Sequence, residues 1–204
     1  MAKPKLQAST TGAIAKINAL EKHVDSMYGI DMKLKYFVTE LMMLRLFAIV
    51  ETNIADTAYK LATNASYLNG TSPKLLVFPR KSMAGAREDM MGLDRDKKRG
   101  LNWAAAKEIK LNTKHILDPA DFFILSIAKH AAIITEMRKI RNYIAHKNPA
   151  SRKGFREVVR AKYAANLKLS VGAFLLSEKR HVPHNFKRFI KTSRVLITDI
   201  ASGV

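Results

Sequence analysis

Apolar residues recur at three- and four-residue steps along most of the chain, the period of an α-helix with one buried face. Ile14, Ile17, Leu20 and Val24 mark such a stripe and predict a first helix over 6–28, ended by Gly29. From Phe37 onward, Phe37, Leu41, Leu44, Ala48, Glu51, Ala55, Ala58 and Ala62 follow alternating steps of four and three. That spacing predicts a long helix with a seam down one face, reaching Asn69-Gly70, and it places one carboxylate, Glu51, among the apolar members.

The period fails over residues 70–117, where Pro73, Pro79, Gly85, Gly92 and Gly100 punctuate "RKSMAGARED" and the charged run "LDRDKKRG". The expectation is an elaborated insertion with short helices near 82–92 and 101–110. Stretches of this length serve as lids or binding loops or are disordered, and the charge run also fits a simple solvated loop. At "DPADFF" the period resumes, with Asp118 suited to an N-cap, Pro119 to the first helical position and Asp121 to the first turn of a helix running to His146. A further helix is predicted over 151–176, with Phe155, Val158, Val159 and Leu167 on its apolar side. "HVPHNF" interrupts, and "FKRFIKTSRVLITDIA" closes the chain as a last helix. The whole reads as all-α: one domain over 1–204, an up-and-down bundle of four to five helices with an irregular central insertion.

Composition agrees with one core, since 204 residues at 48% hydrophobic bury enough surface for a single globular domain. Charge narrows the partner. With 36 Lys and Arg against 17 acids, the formal net charge is +19, which suits a polyanion, nucleic acid first and an anionic membrane surface second. The membrane reading is weaker because the basic residues are spread over several segments instead of backing one apolar helix face. No apolar run approaches the roughly 18 residues needed to span a bilayer, and "MAKPKLQASTTGAIAKINAL" interleaves polar residues where a signal peptide needs a continuous apolar stretch, so the expected location is cytoplasmic. There is no cysteine, which excludes disulfides and thiolate metal sites. The two histidines of "HVPH" at 181–184 lack a third ligand nearby and read as a loop, and "GAREDMMG" lacks the Lys-Ser/Thr of a phosphate loop. No metal and no cofactor is therefore expected.

The stretch "EMRKIRNYIAHKNPASRK", 136–153, carries the chemistry. At about 100° per residue, Phe123, Ile127, Ile134 and Arg141 share a sector roughly 40° wide, so Arg141 sits on an apolar side. A guanidinium there must snorkel, pair with a carboxylate such as Glu51, or face a polar cavity or interface. A structural ion pair and a partly exposed Arg both satisfy this. His146 is five residues on, about 140° around an intact helix. Pro149 disfavours helical geometry at Asn148, so the last turn is expected to loosen and let Arg141 reach back toward His146. With the Asn142 amide, these groups suit a phosphodiester; alone, His146 also suits a surface or capping residue at a helix C-terminus.

"RNYIAH" resembles the Arg-polar-x-x-x-His signature of the HEPN superfamily, and "RKIRNYIAHKN" is similar to that stretch in many of its bacterial members. The earlier "LRLFAIVETNIADTAYKLA" resembles the family's long helix with an embedded carboxylate. The resemblance covers roughly 33–69 and 118–200 and finds no counterpart for 70–117. It implies an all-α bundle that is usually a homodimer with its site at the dimer interface, and often a metal-independent endoribonuclease of toxin–antitoxin or antiviral systems, with a cognate antitoxin or regulatory protein as a further partner. Carried over, Arg141, Asn142 and His146 are the catalytic motif and Glu51 a supporting carboxylate. Some members have no known cleavage activity.

RNA supplies its own nucleophile, the 2′-hydroxyl, so cleavage needs a base, an acid and a cation for the developing charge, roles that imidazole and guanidinium fill without a metal. A two-fold interface would bring two copies of His146 together as separate acid and base. Between 138 and 168 stand ten basic residues, Arg138, Lys139, Arg141, Lys147, Arg152, Lys153, Arg156, Arg160, Lys162 and Lys168, against one acid, Glu157. Such a face binds phosphates without reading sequence. Tyr143 and Phe155 suit either base stacking or the core. The competing reading is a non-catalytic RNA- or partner-binding helical module in which Arg141 and His146 only shape an interface.

Overall fold

The computed structural model describes residues 4–92 and 100–204. Their fold is all-α: α1 (Leu6–Asp25), α2 (Met32–Ala62), α3 (Met83–Gly92), α4 (Ala106–Thr113), α5 (Phe122–Lys129), α6 (Ala131–His146), α7 (Pro149–Tyr163), α8 (Val171–Leu175) and α9 (Asn185–Ser202). Among the described residues the one β-type feature is an isolated antiparallel bridge between Leu75 and Leu117. No helix among them is long and apolar enough to cross a membrane.

The central element is α2, started by Asp31, whose carboxylate accepts from the Lys33 and Leu34 amides at 2.8 and 3.2 Å. Met43, Leu46, Phe47, Val50, Ile54 and Leu61 form its buried face against α1, α9, α8 and α6. The predicted seam lies elsewhere on the same helix. Phe37 and Leu41 are 58% and 48% exposed, and only Ala58 and Ala62, at the far end, join the core. Both faces are apolar, so spacing alone did not distinguish them. The helix also stops at Ala62, short of the expected Asn69, because Asn64 turns left-handed at φ 61°.

Two further predicted helices are divided. The 118–146 segment begins three residues late, with Asp121 and not Asp118 as N-cap, and is interrupted at His130 between α5 and α6. At the break, Asp199 of α9 holds Lys129 Nζ and His130 Nε2, each at 2.8 Å, on one oxygen. Burial alone would raise the Asp199 pKa, but the hydrogen bonds from Lys129 and His130 keep it below the usual carboxylate value. The 151–176 segment starts earlier, at Pro149 behind the Asn148 N-cap, and ends at Tyr163 where Ala164 turns left-handed at φ 53°. The chain then makes the short α8, which lies directly on α2: a Cβ at Gly172 would come within 2.3 Å of the Tyr36 Cβ, and the Gly172 amide donates to Glu40 Oε1 at 3.0 Å.

The insertion holds two short helices, α3 close to the predicted 82–92 and α4 shifted from the predicted 101–110 to Ala106–Thr113, and it packs into the main core. Ala86, Met90, Trp103 and Ile109 are buried, and Trp103 meets Tyr59 of α2 edge-on at 5.4 Å. Residues 93–99 of the charged run lie outside the described residues.

Asp121 joins this region to the bundle. Fully buried, it accepts from the Tyr67 hydroxyl and the Phe123 amide on Oδ1 and from the Lys74 amide on Oδ2. Burial, reinforced by Asp121, pushes the Tyr67 phenol well above its ordinary pKa and keeps it a donor. We expect Asp121→Ala to lower stability by about 2–4 kcal/mol, through loss of a cap and stranding of the buried Tyr67 hydroxyl. Tyr67→Phe, which removes one donor, should cost about 1–3 kcal/mol. Urea denaturation followed by circular dichroism measures both; equal small losses in the two variants would contradict the assignment of Asp121 as the joint.

Candidate active site

Positioning of the motif begins with the amphipathic pattern of α6, which buries Ile133, Ile134, Met137 and Ile140. Arg188 of α9 pairs with Glu136 on one side, so the orientation of α6 is fixed by packing and by charge. Arg141 and Asn142, on the next turn, are half-buried, and Glu51 is half-buried on α2, which packs against α6. His146 is exposed at the helix end.

The expected Arg141–Glu51 ion pair does not form. Arg141 Nη1 donates instead to Asn142 Oδ1 at 3.1 Å, its sole polar side-chain contact among the described residues. A neighbouring amide neutralises no charge, so the guanidinium remains available to an anion. The last turn does not loosen either. It is helical through His146, and Lys147 closes it in the left-handed region at φ 48°, its amide donating to the Tyr143 carbonyl at 3.1 Å. Asn148 is extended, at φ −85° and ψ 168°, and its side chain accepts from the Ser151 amide at 2.8 Å to start α7. The effect of Pro149 is therefore absorbed after the helix, in Lys147 and Asn148. Arg141 and His146 consequently leave α6 about 140° apart, and one chain does not converge them.

The basic residues are better gathered than the motif. Arg152, Arg156 and Arg160 follow four-residue steps on α7 and are all exposed, a ridge with a charge about every 6 Å by helical rise. Arg152 and Arg156 line hollows on both flanks of it. One, of about 300 Å³, includes Tyr143 and Lys168, and the other, of about 450 Å³, includes Lys153 and Arg160. Lys147 and Lys153 are exposed and Arg138 half-buried, whereas Lys139 is paired with Glu157 at 2.7 Å. That bond, and Lys153 less strongly, hold the Glu157 carboxylate below its usual pKa. The sole acid of the stretch is thus committed to a lysine. Tyr143 stacks on Phe155 at 5.2 Å, and Phe155 is buried, so Phe155 belongs to the core.

The buried histidine, His130, was not anticipated from sequence, because its partner Asp199 lies 69 residues away in the chain. The nearby Ser126 hydroxyl donates to the Asp199 carbonyl, not to the imidazole, which makes this trio a joint between α5, α6 and α9 and not a nucleophile with its base. No cluster of three or more His, Cys, Asp or Glu side chains suited to a metal occurs among the described residues. Comparison with family models, with curated proteins and with solved structures finds no match. The argument for function therefore rests on these residues and their surroundings.

The ridge makes a defined prediction. Arg152→Ala and Arg156→Ala should each weaken binding to single-stranded RNA and reduce the slope of log affinity against log salt by about one phosphate contact's worth. Fluorescence anisotropy at several salt concentrations measures this. An unchanged slope in both variants, or no binding by the native chain, would deny the ridge the phosphate-binding role expected of it.

Proposed function

We propose that the chain is a HEPN-type endoribonuclease that cleaves RNA by attack of the 2′-hydroxyl, without a metal, as a homodimer whose site is shared between chains. The observation that carries this reading is the Arg141–Asn142–His146 motif at the open end of α6, separated by only Lys147 and Asn148 from the helix that bears the arginine ridge. In the reaction, the arginines of α7 hold the backbone phosphates, and Arg141, steadied by Asn142, faces the scissile phosphate and stabilises the charge that builds there. His146 exchanges protons with the 2′-hydroxyl or the leaving 5′-oxygen. The bond from phosphorus to the 5′-oxygen breaks as the bond to the 2′-oxygen forms, leaving a 2′,3′-cyclic phosphate and a 5′-hydroxyl.

The wide angle between Arg141 and His146 is the reason to invoke a second chain. Leu34, Phe37, Leu41, Leu44 and Ala48 form a heptad-spaced stripe on α2 whose members are exposed or half-buried. Glu51 stands at its margin, between the stripe and the face packed on the neighbouring helices. Two such stripes meeting antiparallel about a two-fold axis would bring like margins together, and with them the Arg141 of one chain and the His146 of the other. The resemblance extends the proposal to a cytoplasmic toxin–antitoxin or antiviral setting with an antitoxin or regulatory partner. The same angle also favours the alternative of a non-catalytic RNA-binding module, in which one chain's Arg141 and His146 never act together.

Cleavage decides between the two. Incubation with mixed RNA in EDTA should yield 2′,3′-cyclic phosphate and 5′-hydroxyl ends and leave DNA intact. His146→Ala and Arg141→Ala should each slow the cut by about 10²–10⁴-fold with the fold retained. RNA bound but uncut would sustain the non-catalytic module, and 5′-phosphate products requiring a divalent ion would remove the proposed chemistry.

Assembly is tested separately. Sedimentation should give a dimer for the native chain and a monomer for Leu41→Glu, since a carboxylate in an apolar seam costs several kcal/mol. Mixing Arg141→Ala with His146→Ala chains should recover activity above either alone. A fully active monomer would overturn the shared site.

A further inference from the structure

We infer that the apolar tip of the insertion, residues 76–79, docks the chain onto the surface of an anionic lipid bilayer. The assignment does not depend on whether the α6 motif cleaves RNA. Leu76, Val77, Phe78 and Pro79 are all exposed, and Phe78 is 91% exposed. Exposed apolar residues are ordinary when scattered singly, whereas a contiguous run of them marks an interaction surface.

The tip is held at both ends. On one side the Leu76 amide donates to the Ile116 carbonyl and the Asp118 amide to the Lys74 carbonyl, each at 2.9 Å, around the Leu75–Leu117 bridge. On the other, the Arg80 amide donates to the Ala62 carbonyl just past the last turn of α2, at 3.0 Å, and the Arg80 guanidinium pairs with Asp89 of α3. Val77, Phe78 and Pro79 alone lie between these anchors. Pro79 fixes its own φ and biases Phe78 toward extended backbone. The apolar side chains are thus presented on short, restrained backbone, and docking them costs little further ordering.

Cations stand beside the tip. Lys81 follows it directly and is exposed. The Ile116 carbonyl that holds Leu76 is two residues beyond Lys114, and Lys114 ends the exposed face of α4. That face carries Lys107, Lys110, Leu111 and Lys114, while Ala106, Ile109 and Thr113 are buried behind it. Leu111, 44% exposed, therefore lies among three lysines. Of the acids in the described part of 73–118, Asp89 is committed to Arg80, Asp118 accepts from the Ala120 amide at 2.7 Å, Glu108 is half-buried and Glu88 is exposed. Some thirty residues separate the apolar run from the α4 lysines along the chain, and the Leu75–Leu117 bridge brings them together.

A bilayer answers both features at once. Its headgroup phosphates and carboxylates meet the lysines, and the hydrocarbon boundary beneath them takes up Phe78, Val77, Leu76 and Leu111. RNA would answer the lysines but leave the three aliphatic side chains in water, since its bases stack on aromatic rings. Neither signal holds a protein to a membrane alone: the apolar tip is small, and purely electrostatic attraction is screened within about 8 Å at physiological salt.

Co-sedimentation of the full chain, freed of nucleic acid, with vesicles tests this. Vesicles of phosphatidylserine and phosphatidylcholine in equal parts should bind it and phosphatidylcholine alone should not. Because a chain of net charge +19 is drawn to any anionic surface, the decisive variants leave that charge unchanged or move its loss elsewhere. Phe78→Ser should weaken binding by about tenfold or more at physiological salt with an unchanged thermal melt, since the ring lies outside the core. Lys114→Ala should weaken it by about fivefold, and the charge-matched Lys191→Ala on α9 should not. Phe78→Trp should show a blue shift of emission on the vesicles that the native chain, whose one tryptophan Trp103 is buried, does not show. Absence of binding to the anionic vesicles, equal binding by Phe78→Ser, equal losses in Lys114→Ala and Lys191→Ala, or an unshifted Phe78→Trp would each overturn the inference. Weaker RNA binding by Phe78→Ser with vesicle binding intact would give the tip to nucleic acid instead.

Discussion

A 31-residue helix with apolar side chains on most of its circumference cannot be covered by one neighbour, and α2 therefore dictates where the other elements go. α1 and α9 pack along it, α8 is drawn onto its N-terminal half through the Gly172–Tyr36 approach, and α6 takes a further flank. Two areas of α2 are left without full cover. Where α1 presents alanine and glycine a groove remains, and where no element lies the heptad-spaced stripe faces outward. The proposed dimer starts from the second of these areas, and the motif depends on α2 as well, because α6 is held against it.

Two carboxylates, the buried Asp121 and the half-buried Asp199, decide where the long helical segments break. Asp121 gathers a phenol and two backbone amides and so starts α5 three residues beyond the expected cap. Asp199, reaching from α9, takes Lys129 and His130 at the junction of α5 and α6. Asp121 satisfies donors from different parts of the chain, which makes burial of its charge tolerable, and each carboxylate holds fixed a place where backbone direction changes. The end of α6 is organised differently: Lys147 takes the left-handed turn and Asn148 caps the next helix, so the motif is delivered on an intact final turn beside the start of the arginine ridge.

What the sequence made legible follows from how local each signal is. Helical periods, the Pro149 stop and the two short insertion helices depend on residues a few positions apart and were readable. The buried face of α2 was not, since Leu41 and Leu46 are equally apolar and only the neighbours decide between them. The break at His130 has no glycine or proline to announce it, and its cause is 69 residues distant. For the site, the helical wheel put Arg141 on the apolar side, where it is half-buried, but it could not choose Asn142 over Glu51 as partner, because an adjacent amide competes through side-chain rotamers that spacing does not encode.

Charge sets the last constraint. A chain of net charge +19 that pairs with its own copy brings two like-charged bodies together, and the opposition is reduced only by screening over about 8 Å at physiological salt. In the proposed dimer the apolar stripe must offset that repulsion when RNA is absent. RNA bound as proposed would change the balance, since phosphates along the Arg152–Arg156–Arg160 ridge would lower the net charge of each copy. By linkage, whatever favours RNA on the dimer favours the dimer on RNA to the same degree. Pairing through α2 and binding along α7 are thus thermodynamically coupled in the proposed enzyme, and the coupling weakens as salt rises, because screening lowers the repulsion in the free dimer and the gain from its neutralisation together.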